Sequence, residues 1–80
     1  HKGALMRDRL IKHLRAYRYN LGYLAKEADI TQNYLSLIIN GSRIPSIHVA
    51  ASLARAANRL TESTTYTPDM FITITKELHQ

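Results

Sequence analysis

The side chains able to do covalent or metal chemistry are few and badly placed for it. The chain has no cysteine, which excludes disulfide staples, thiolate zinc sites and thiol nucleophiles. His13, His48 and His79 are too scattered to pair on one helix, so surface or partly buried histidines are expected rather than ligands. Asp8, Glu27, Asp29, Glu62, Asp69 and Glu77 show no paired arrangement of the kind acid–base work needs. Neither a glycine-rich phosphate loop nor a nucleophile elbow is present. The expectation is a non-enzyme with no cofactor and no metal. What remains is hydrogen-bonding and electrostatic chemistry. Gln32 and Asn33 carry adjacent amides, and Lys2, Arg7, Arg9, Lys12, Arg15, Arg18 and Lys26 crowd the first third of the chain, with only Asp8 before Lys26.

With 80 residues, 45% hydrophobic and 21% charged, the chain suffices for one small domain. A domain this short sheds a smaller share of its surface on folding, so its core must be compact. No run approaches the roughly 18 apolar residues of a membrane span. Lack of cysteine also rules out a disulfide-stapled secreted fold and is compatible with a reducing interior. The net charge of +5 and a pI of about 9.9 favour a polyanionic partner. Clustering says more than the total, because a local field steers a partner to one face. The plainer reading is that these cations solvate the outer side of an amphipathic helix. His1 to Gly3 read as a cloning scar or a cut boundary and carry no weight.

The elements that position these groups follow from periodicity and caps. Ala4 to Tyr19 lacks Gly and Pro, and Met6, Leu10, Leu14 and Tyr17 recur at helical spacing. Asn20 caps a short second helix, Leu21 to Ala28. Asp29 can close it in the left-handed conformation where Gly is usual. Thr31 caps a third, Gln32 to Ile39, with Leu35 and Ile38 inward. Asn40-Gly41-Ser42 ends that helix, and Pro45-Ser46 opens a fourth through about Leu60, with Ile47, Ala50, Leu53, Ala54 and Ala57 as its apolar stripe. Thr61 to Thr67 is a polar linker, and Thr67-Pro68-Asp69 signals another helix start. Met70 to Leu78 has strand-like propensity, yet Met70, Phe71, Ile74 and Leu78 fit a helical face; the start signal favours helix. The expected fold is all-α, a compact four- to five-helix bundle. The expected division is a domain over 4–60, then a linker and C-terminal segment over 61–80.

Two short helices separated by a three-residue turn must cross steeply, and Ala25 supplies the small residue where their backbones approach. Leu24, Ala28, Ile30, Leu35 and Ile38 would fill the shared interior. Such a pair presents its second helix as a ridge whose N-terminal end can enter a DNA major groove. The stretch Leu24-Ala25-Lys26-Glu27-Ala28-Asp29-Ile30-Thr31-Gln32-Asn33-Tyr34-Leu35-Ser36, followed by Ile38, Asn40-Gly41, Arg43 and Pro45-Ser46, resembles the phage-repressor or Cro-type (Xre-like) helix-turn-helix domain. The resemblance extends less tightly over about Leu10 to Leu60. Three positions depart from that pattern. Leu21 stands where a Gln often braces against a phosphate, Asp29 replaces the usual turn Gly, and Leu37 takes the place of a polar or basic reader.

The resemblance implies a sequence-specific transcriptional regulator, binding double-stranded DNA as a homodimer on an inverted repeat, without membrane association, cytoplasmic and nucleoid-associated, and bacterial or phage-encoded. Gln32 and Asn33 would read bases, since such amides bond adenine bidentately; their plainer role is to cap and solvate the helix. Ser36 is a candidate base contact one turn on, and Leu37 a thymine-methyl contact or a protein interface. Tyr34, Asn40, Arg43, Arg15 and Arg18 are the candidate phosphate contacts, each with a bland structural or solvating alternative. Met70, Phe71, Ile74 and Leu78 form either a dimer surface or a cap on the chain's own core. The competing function is a protein-interaction module of the same fold, suggested by Leu21, Leu37 and Ile39.

Overall fold

The computed structural model describes the backbone of residues 2–79 and the side chains of residues 5–76. Five helices follow one another: α1 Lys2–Ala16, α2 Leu21–Glu27, α3 Gln32–Ile39, α4 Ile47–Thr61 and α5 Pro68–His79. No strand occurs among the described residues. The all-α expectation holds, and the segment after Pro68 is a helix.

Its helical state follows from which side chains it buries. A strand would set Phe71, Thr73 and Thr75 on one face and Ile72 and Ile74 on the other. A helix brings Phe71, Ile74 and Thr75 together at i, i+3 and i+4, and these three are the buried ones. Thr75 loses little by burial because its hydroxyl donates to the Phe71 carbonyl at 3.2 Å and to the Ile38 carbonyl at 3.3 Å. The second bond ties α5 to the end of α3.

The core is shared by all five helices. Leu10 and Leu14 come from α1, Leu24 and Ala25 from α2, Leu35, Ile38 and Ile39 from α3, and Phe71 and Ile74 from α5. Each large side chain in that set contributes roughly 1.5–3 kcal/mol by leaving water. The α4 contribution is Leu53 with Ala50, Ala54, Ala56 and Ala57, so the central helix is thin enough for α2 and α5 to pack against it together.

Ile47, expected on the apolar stripe of α4, is 58% exposed, and α2 ends at Glu27 with Ala28 as its cap. Larger departures occur at two other helix ends. α1 stops at Ala16 rather than Tyr19, because Arg18 turns left-handed (φ 65°) and Tyr19 N–H returns to the Leu14 carbonyl at 2.9 Å. Tyr17 therefore leaves the apolar face of α1 and is 39% exposed. α4 starts at Ile47, with Ser46 as the cap, its hydroxyl accepting from Val49 N–H at 3.2 Å; Pro45 lies outside the helix.

Candidate nucleic-acid interface

The turn between α2 and α3 is closed by two backbone bonds. Asp29 N–H donates to the Lys26 carbonyl at 3.1 Å and Ile30 N–H to the Ala25 carbonyl at 3.0 Å, a pattern that requires the residue between to be left-handed. Asp29 takes that conformation (φ 60°). Replacing the usual Gly has not opened the turn. Thr31 then caps α3, its hydroxyl accepting from Tyr34 N–H at 3.0 Å. With the cap supplied by Thr31, the amides of Gln32 and Asn33 are not needed for it.

α3 is cleanly two-faced. Leu35, Ile38 and Ile39 are buried, while Gln32, Asn33, Leu37 and Asn40 are exposed and Ser36 is half-buried. At i, i+4 spacing these outward positions form one ridge. Ile39 belongs to the core, at 3% exposure, so it offers no apolar surface to a partner. Leu21 is likewise packed against the core, which leaves Leu37 as the single apolar side chain on the ridge.

The ridge has neighbours on both sides. Gln32 folds back over α2, its Oε1 lying 3.3 Å from where a Cβ on Gly22 would stand. A cleft beside it is shared by Gln32, Asn20, Gly22, Leu21 and Arg15, which brings the end of α1 to the start of α3. A second cleft joins Gln32 to Tyr23 and Lys26 on the exposed side of α2. Tyr23 is 54% exposed and meets the edge of Tyr19 at 5.4 Å between ring centroids. Sequence reasoning passed over Tyr23 and Lys26 as contacts, although their i, i+3 spacing beyond the Asn20 cap put them on one face. At the other end of α3, the Arg43 guanidinium lies 5.9 Å from the Tyr34 ring centroid, a cation–π contact near its outer limit. Asn40 caps the C-terminus of α3, and Gly41 (φ 80°) turns the chain so that Ser42 N–H reaches the Leu37 carbonyl at 2.8 Å.

Arg18 is exposed but is also the left-handed residue that ends α1. The proposed C-terminal dimer residues divide. Phe71 and Ile74 are 1% and 2% exposed, so they cap this chain's own core and present no surface to a second copy. Met70 is half-buried. The Leu78 side chain lies outside the described residues.

A ridge of amides on a capped helix, flanked by Arg15, Lys26 and Arg43, can hydrogen-bond base edges while cations meet the backbone on either side. The family profile described as "Helix-turn-helix" matches residues 9–62, over half of the chain. No curated protein and no solved structure matches it.

Proposed function

The chain belongs to the helix-turn-helix family of the phage-repressor and Cro type, a family of DNA-binding domains, and from that premise we propose that it is a sequence-specific transcriptional regulator reading the major groove with α3. The observation that carries this reading is the two-faced α3, with Leu35, Ile38 and Ile39 buried and Gln32, Asn33 and Leu37 facing out. Gln32 and Asn33 supply the bidentate amides, Ser36 a hydroxyl, and Leu37 a partner for a thymine methyl. Arg15, Arg18, Tyr34, Asn40 and Arg43 hold phosphates, setting register and most of the salt-sensitive affinity. Tyr23 and Lys26 join them from α2.

The operator is an inverted repeat bound by a homodimer, with the reading helices about 34–36 Å apart. Ile44 and Ile47 are 52% and 58% exposed and lie in the α3–α4 loop and at the first position of α4. They are the better place for the second copy than the C-terminal set, because they add apolar surface without opening the core. Selecting bound duplexes from a randomised pool tests the whole proposal. Two symmetric half-sites are expected; a pool that stays random after selection would overturn it.

Exposed Leu37, Ile44 and Ile47 also favour a second reading, a protein-interaction module that reads no sequence. Titrating random-sequence duplex across salt concentrations separates the two. Saturable, salt-steep binding supports the regulator, whereas no binding at low salt supports the module.

A further inference from the structure

A groove of about 500 Å³ runs between α1 and the linker that leads into α5, sharing no residue with the clefts beside Gln32. We propose that it binds a small aromatic carboxylate. Its volume falls within the roughly 300–1,000 Å³ of small-ligand sites. Its apolar lining comes from Met6, Ala16 and Met70, and methionine sulfur packs well against aromatic rings.

Among the described residues the charge of the groove has one sign: Arg9 and Lys12 line it, beside His13, and no acidic residue does. Arg9 and Lys12 are exposed and enter no ion pair among the described residues, where the two ion pairs are Arg7 with Asp8 and Arg59 with Glu27. A carboxylate entering here meets unneutralised cations, so the head group is favoured and a cationic ligand is repelled.

The wall opposite α1 is held before any ligand arrives. Asn58 grips the backbone of Tyr66 with both ends of its amide, donating to the carbonyl and accepting from the N–H, each at 3.0 Å. The Tyr66 hydroxyl lies 2.7 Å from His13 Nδ1, and the two rings stack with centroids 5.8 Å apart. A wall fixed in this way costs a ligand little ordering on entry.

The test titrates 2-naphthoate into the isotopically labelled chain and follows amide chemical shifts. Saturable one-to-one binding is expected, with shifts at Met6, Ala16, Tyr66 and Met70 and none at Gln32 or Asn33. Neutral 2-naphthamide, of the same shape, should bind about tenfold more weakly, as loss of a charge-assisted bond requires. The double variant Arg9→Ser/Lys12→Ser should lose a similar factor, and Met70→Glu should abolish binding. Equal affinity for the amide, undiminished binding by the double variant, or shifts centred on Gln32 would each overturn the proposal.

Discussion

Gln32 lies over Gly22, both lining the same two clefts, because Gly22 has no side chain. A Cβ at position 22 would stand 3.3 Å from Gln32 Oε1 and 3.1 Å from Asn20 Oδ1, tighter than ordinary packing. Asn20 Oδ1 is already committed to Tyr23 N–H at 3.0 Å, whereas Gln32 is exposed and has room to swing. Gly22→Ala should therefore displace Gln32 and shift Asn20 Oδ1 by a few tenths of an ångström within the α2 cap. The roughly 1 kcal/mol gained in helix propensity offsets the crowding, so the melting temperature should change little. Base preference should change instead. Competition binding against operator variants checks this, and an unaltered preference would show that Gln32 does not read from its braced position.

Gln32 and Arg43 lie at opposite ends of the ridge and should fail differently. Gln32→Ala should cost about 1–3 kcal/mol at one base position and leave non-specific binding nearly intact. Arg43→Ala should weaken all sequences alike and lower the salt slope by about one. Binding isotherms at several salt concentrations measure both. If neither variant alters DNA binding, the docking face is elsewhere.

Ile47 is 58% exposed at the first position of α4 and leaves the core of its own chain untouched. Ile47→Asp should accordingly preserve folding and dissociate the dimer on DNA, since a charge in a small apolar contact is left unpaired. Sedimentation of the protein–duplex complex reads the stoichiometry. A dimer of undiminished affinity moves the two-fold away from α4.

Glu62 ends α4 in the left-handed region (φ 52°), where Ser63 N–H returns to the Asn58 carbonyl at 2.9 Å. A side chain there costs about 1–2 kcal/mol. Glu62→Gly removes that strain but widens the unfolded ensemble, so a net gain of about 1 kcal/mol is expected. Chemical denaturation checks the sign; a loss would mean the Glu62 side chain stabilises the linker.

The contrast between Asp29 and Arg18 shows what was legible in the sequence. Asp29 is readable as a left-handed helix end because Asp tolerates that conformation and the capping Thr31 follows it, so the whole helix-turn-helix unit follows. Arg18 stands at the same distance before the Asn20 cap, but Arg has no preference for the left-handed region, and its turn is imposed by Tyr19 reaching back to Leu14. Periodicity alone therefore runs α1 on to Tyr19 and sets Tyr17 inward, where the structure ends the helix at Ala16 and exposes Tyr17. The same limit applies to the site. Exposure of Gln32, Asn33 and Leu37 followed from the period of α3, but Gln32 leaning on Gly22 depends on the crossing of two helices. Phe71 and Ile74 were visible as an apolar set; whether they cover this chain or another is decided only by where α5 lies.

Tyr66 ties the linker to α1 through its phenol and to α4 through its backbone, and the part-buried phenol makes the junction sensitive to alkali. Burial raises its pKa above the usual 10.0, since the phenolate would be poorly solvated between α1 and the linker. The folded chain thus holds its proton at a pH where the unfolded chain has lost it. Such a group contributes stability that is present below the unfolded value and lost as the pH rises through the folded one. Tyr66→Phe should flatten the fall in stability above pH 10 by removing this ionisation. At neutral pH it should cost about 1 kcal/mol, for the lost bond to His13 at 2.7 Å. Denaturation midpoints measured at neutral pH and above pH 10 separate the two effects. An alkaline limb identical in both proteins would mean that another tyrosine, or the lysines, sets it.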